Sequence, residues 1–176
     1  MRCWKKRLSR AAATALATLT LGGCLGETPE RARILEARLV DEGGGAALEL
    51  TQELRFSRTM REALDHGIPL RLVYIAEGCD TGAWQSLELR YVPLTRHYEL
   101  QRSDTPDARS FARRSALFAA LDRVRLPLRA APRADCQGRV WVALDLVSLP
   151  TPLRLPAFLQ RAQWRLVSPV AAWSSP

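Results

Sequence analysis

The residues best suited to acid–base chemistry are few, and they stand far apart in the chain. His97, in Arg96-His97-Tyr98, lies two residues from Glu99 on the polar face of an expected strand. A carboxylate there would raise the imidazole pKa and orient the ring as a base. No nucleophile accompanies it: the chain contains no Gly-x-Ser-x-Gly, no His-Glu-x-x-His and no glycine-rich phosphate loop. A half-exposed rung in a surface charge ladder accounts for His97 more simply. His66 precedes Gly67 at an expected helix end, where partial positive charge suits the dipole. Asp145 interrupts an apolar run and shares a face with Trp141, Ala143 and Val147. If buried there, it requires a hydrogen-bonding or arginine partner, and Arg71 and Arg90 are the candidates. A structural salt bridge is the simpler role for it. Zinc fails on ligand count, since Cys-x-x-Cys is absent and His66 and His97 are the two histidines. No cofactor or metal is implied.

Cysteine chemistry is better defined. Arg2, Lys5, Lys6, Arg7 and Arg10 form a basic start, and Ala11 to Leu21 is an uncharged apolar run too short to span a bilayer. Leu21-Gly22-Gly23-Cys24 ends it and resembles the lipobox of bacterial lipoproteins. That resemblance implies a diacylglycerol on the Cys24 thiol, cleavage before it and acylation of the new amine. Residues 1–23 are then a lipoprotein signal, 24–33 a tether and 34–173 one globular domain held in the periplasm by a lipid anchor. Leu25 and Gly26 are not the Asp-type retention signal of inner-membrane lipoproteins, so outer-membrane sorting is expected. Cys3 leaves with the signal, so Cys79 and Cys136 remain as a pair. In an oxidising compartment an even pair predicts a disulfide.

The formal charge of +8 overstates how basic the exported part is. Five of the 26 basic residues lie in the signal and all 18 acidic ones follow it, which leaves 26 − 5 − 18 = +3. Nucleic-acid binding loses its main electrostatic support. Both lysines are in the signal, so every later basic residue is an arginine, scattered as on solvated faces.

Apolar alternation predicts a hairpin, with Leu35, Ala37 and Leu39 on one face of its first strand. Leu48, Leu50, Leu54 and Phe56 share a face of its second, interrupted by Gln52. Ser57 to Gly67 reads as a short helix, capped by Ser57 or by a Thr59/Glu62 box. Leu70–Ala76 and Arg139–Leu149 are apolar on both faces, as central strands are. Trp84–Val92 and Arg96–Arg102 alternate. Thr105-Pro106-Asp107 predicts the start of a long helix reaching Val124, with Phe111, Phe118, Leu121 and Val124 as its stripe. Leu126–Asp135 reads as irregular, and Gln163–Val167 as a last strand around Trp164. Strand aromatics predict packing for Trp84 and Trp141. Trp173, near the end of the chain, is expected to be exposed to a partner or the membrane interface. The fold class is α+β, a mostly antiparallel sheet or sandwich of about seven strands and two helices.

Several ordered motifs together resemble a known family. They are E-L-x-F-S, then R-E-A-L-x-x-G-I-P-L, L-R-Y-x-x-L-T-R-H-Y-x-L and L-P-x-P-L-R-L-P-A-F, with W-R-L-V-S-P near the end. The chain is similar over about Ile34 to Trp173 to the proteobacterial domain of unknown function 4390. The resemblance implies an exported protein without an assigned activity, often encoded near a sensor histidine kinase. It carries over no catalytic residue. The family's usual D-W-R-L reads Gln163-Trp164-Arg165-Leu166 here. The expected role is a non-enzymatic, partner-binding envelope lipoprotein, possible partners including the periplasmic part of such a sensor. A carrier of lipid or small molecules comes second, and a hydrolase using His97 or Asp145 third.

Overall fold

The computed structural model describes residues 31–41, 45–78 and 81–175. β1 (Ala32–Asp41) and β2 (Ala46–Leu54) form the expected hairpin, and β7 (Arg123–Pro127) pairs with the other side of β2. The second sheet is built from β3 (Leu70–Gly78), β4 (Thr81–Val92), β5 (His97–Arg102), β6 (Ala108–Phe111), β8 (Gln137–Leu144) and β9 (Ala171–Ser174). Its order is β6-β5-β4-β3-β8-β9, with β3 central as its double-faced apolar sequence requires. Neighbouring strands are antiparallel throughout. Four helices complete the described residues: α1 (Arg58–Asp65), α2 (Arg114–Ala119), α3 (Thr151–Leu159) and α4 (Arg161–Trp164). The fold is therefore an α+β, mostly antiparallel sandwich.

Leu48, Leu50, Val124 and Leu126 from the small sheet meet Leu72, Tyr74, Leu87, Leu89 and Val142 from the large one in a single core. One polar link crosses it. Gln52 is 2 % exposed, and its Nε2 donates to the Tyr74 hydroxyl at 2.7 Å and to the Leu121 carbonyl at 2.7 Å. Burial pushes the Tyr74 phenol well above the ordinary tyrosine range.

α1 begins as expected, Ser57 Oγ accepting from the Met60 amide at 3.0 Å, so the alternative Thr59/Glu62 box is not used. Gly67 follows the helix at φ 81°, a conformation that glycine adopts without strain.

The long helix from Thr105 to Val124 does not exist. Its first part is β6, an edge strand that sets Phe111 opposite Tyr98, and its last part enters β7. α2, between them, is only six residues long. The Gln52 side chain takes the Leu121 carbonyl and its amide takes that of Asp122, so β2 claims the acceptors just after α2. Val124 and Leu126, two residues apart, then pair against Leu50 and Leu48. Three other expectations need correction. A register shift between Ile34 and Glu36 turns Leu35 outward to 52 % exposure while Ala37 and Leu39 keep the inner side. β8 ends at Leu144 rather than Leu149. Trp164 is helical and buried, and the last strand is β9.

Tyr74 gives an alkaline test. Residues 31–175 contain no lysine, so no ammonium group obscures a phenol titration near pH 10. Unfolded Tyr74 ionises there while the folded phenol keeps its proton. Stability is thus fully present below pH 10 and falls above it, by up to about 1.4 kcal/mol per pH unit. Urea midpoints between pH 9 and pH 11.5 should show this fall, with a shallower slope in Tyr74→Phe. An equal slope in the variant would contradict the burial assignment.

Candidate functional surface

Alternate residues of β3, β4 and β8 point away from the core and build the outer face of the large sheet. Register places Trp84 opposite Ile75, and Ile75 opposite Trp141, so the three form one row across three strands. Ile75 and Trp141 are half-buried, whereas Trp84 is 59 % exposed. The next row sets Val73 between Ser86 and Ala143. Toward β5 the face becomes charged: Arg71 pairs with Glu88 at 2.8 Å and Arg90 with Glu99 at 2.7 Å, each across a strand boundary. An aromatic strip thus borders a ladder of ion pairs.

Trp84 contradicts the packing role expected of it. The signal was its parity: Ala83, Gln85, Leu87 and Leu89 are buried, so Trp84 keeps phase with Glu88 and Arg90. Tryptophan in the polar phase of a strand marks an aromatic turned to solvent.

His97 opens β5, half-buried, and its Nδ1–H donates to the Thr95 carbonyl at 2.5 Å. Its prospective partner Glu99 is bound to Arg90. Asp145 does not lie in a central strand. It follows the end of β8, half-buried, and its Oδ1 accepts from the Val147 amide at 2.9 Å. Its link to Arg71 runs through main chain, Asp145 N donating to Arg71 O at 2.8 Å, and the expected salt bridge to Arg71 or Arg90 is replaced by this turn. His97 and Asp145 therefore serve separate local structures. A further polar cluster was not anticipated: the Tyr98 hydroxyl donates to Asp65 Oδ1 at 2.8 Å, and Arg114 binds the other carboxylate oxygen. Desolvation, and then the hydrogen bond to Asp65, hold the Tyr98 phenol above its ordinary range. Among the described residues no three His, Cys, Asp or Glu side chains converge as a metal site would require.

Trp173 is not exposed. Only 3 % of it meets solvent, because its ring lies against Gly138, where a side chain would collide with it. With Ala37, Glu77, Gln137, Arg139 and Ser174 it borders an open groove of about 790 Å³. Cys136 is buried just before β8, whereas Cys24 and Cys79 lie outside the described residues.

The family model of the Domain of unknown function (DUF4390) matches residues 30–174. The chain belongs to this family. No curated protein and no solved structure matches it. The matched stretch includes both sheets and all four helices of the DUF4390 unit. Gln163, where the usual motif has Asp, is structural here: its Oε1 accepts from Thr59 and its carbonyl from Arg31 and Ser57.

Gly138→Val should displace the Trp173 ring and cost about 1–3 kcal/mol, the usual penalty for overpacking. Urea unfolding followed by tryptophan emission would report it, with a red shift as the indole meets water. A variant as stable as the parent, with unshifted emission, would show that the contact is slack.

Proposed function

We propose that the protein is an envelope lipoprotein whose DUF4390 domain is a non-enzymatic binding module, engaging a protein partner through the outer face of its large sheet. The observation that carries this reading is the solvent-exposed Trp84 aligned with Ile75 and Trp141 beside paired charges. A large aromatic ringed by polar groups is the usual anchor of a protein interface. The engagement of His97 and Asp145 in separate local bonds supports a non-enzymatic role. The buried apolar side chains that both sheets contribute to one cluster favour a binding face over an internal carrier cavity. The periplasmic part of a sensor kinase is the first partner to test, given the gene neighbourhood that the family resemblance implies.

Trp84→Ala should weaken partner capture about thirtyfold or more, the scale of a hot-spot residue worth about 2 kcal/mol, without lowering Tm. His97→Ala should complement a deletion strain fully. Photo-cross-linking from position 84 in intact cells identifies the partner; full complementation by Trp84→Ala would refute the assignment of this face.

We propose further that Cys79 and Cys136 form a disulfide at one pole of the sandwich. β3 and β8 are antiparallel neighbours, with Glu77 opposite Arg139, so the residues following β3 and preceding β8 emerge at the same sheet end. A bridge closing a loop of about 58 residues removes about 4 kcal/mol of unfolded-state entropy in the chain-entropy model. Denatured, unreduced protein from the envelope should leave both cysteines unreactive to maleimide, and labelling of the two would disprove the bridge.

A further inference from the structure

The opposite pole is built differently. Only Ala157 of α3 is buried, while Leu155, Phe158 and Leu159 are 67 %, 43 % and 76 % exposed. Val147, Val167 and Val170 are exposed in the flanking segments. Leu146, Phe158, Trp164, Leu166 and Val167 border a shallow apolar pocket of about 190 Å³. No helix among the described residues is long and apolar enough to cross a membrane, and α3 has nine residues. A short apolar helix left uncovered beside polar neighbours suits a surface that it enters only partly.

Charge points to the nature of that surface. From residue 146 to the end there are three arginines, Arg154, Arg161 and Arg165, and no acidic residue, a charge of +3. From Cys24 to Asp145 the count is 18 arginines against 18 acids, which is zero. The net charge beyond the signal therefore equals that of the segment that contains the exposed helix.

The path of the chain brings the same pole to a membrane. Arg31, immediately before β1, donates to the Gln163 carbonyl of α4 at 3.2 Å. Cys24 lies 31 − 24 = 7 residues earlier. Seven residues reach at most about 25 Å even when fully extended, so an acyl chain on Cys24 would hold this pole within that distance of the bilayer.

We infer that α3 and the apolar residues beside it lie in the headgroup interface of the anchoring bilayer, with Arg154, Arg161 and Arg165 facing anionic phospholipid. The inference rests on the lipoprotein reading of Cys24. Beside a lipidated Cys24, a basic, apolar helix adds an interfacial contact of its own, through buried apolar area and attraction to anionic lipid. The pole with Cys136 then faces away from the lipid, about 27 Å distant along the nine residues of β3.

The test places p-benzoyl-phenylalanine at Leu155 or Phe158 of the full chain in intact cells, with exposed Ala131 at the far pole as reference. Irradiation should add the mass of one phospholipid at 155 and 158 and none at 131. In parallel, labelled fatty acid reports acylation of Cys24. Lipid adducts absent from a labelled protein would overturn the membrane contact and leave the anchor standing. Protein adducts at 155 and 158 would overturn it too, by assigning the helix to a protein partner. Lipid adducts on an unlabelled protein would uphold the contact and remove the anchor; the absence of both would dispose of both.

Discussion

Everything in this domain hangs on how the two sheets are aligned across their shared apolar core, and one buried amide takes part in setting that alignment. Gln52 belongs to the small sheet, Tyr74 to the central strand of the large one, and Leu121 to the turn between α2 and β7. Apolar side chains around these three would fill space equally well at several offsets of one sheet on the other. A buried amide has far fewer acceptable positions, because losing a partner costs about 1–3 kcal/mol. Gln52 Nε2 and the Gln52 main-chain N–H also take the Leu121 and Asp122 carbonyls just after α2, so this one residue fixes sheet alignment and chain path together.

That role explains where the sequence was legible. The hairpin of β1 and β2, the cap at Ser57 and the central position of β3 follow from alternation and capping, which are local signals. The stretch from Thr105 to Pro127 is not legible locally, because what ends α2 comes from β2, about seventy residues earlier in the chain. Nothing near Leu121 announces that Gln52 will take its carbonyl. Val124 and Leu126 fit a strand as readily as the last turn of a helix, and only the open side of β2 chose between them. Trp173 was misplaced for a related reason. Its cover is the bare backbone of Gly138, and a glycine in a strand does not reveal which ring will lie on it.

The outer face of the large sheet was half visible. Its charged rungs can be read from the alternation of Glu88 and Arg90, and Trp84 stands in the same phase. The alignment of Trp84 with Trp141 depends on the register of two strand pairs that share β3, and neither is local. The face turns polar toward β5, so a partner would meet an apolar strip with a charged margin.

The ion pairs of that margin are made by guanidinium groups, and the described residues contain no lysine at all. The folded domain therefore presents no primary amine, and in a mature lipoprotein the terminal amine would carry an acyl group. Chemistry aimed at amines, including most succinimidyl cross-linkers, fluorophores and surface-immobilisation methods, would pass over this protein. Its complexes would be missing from any survey that relies on those reagents, however abundant they were.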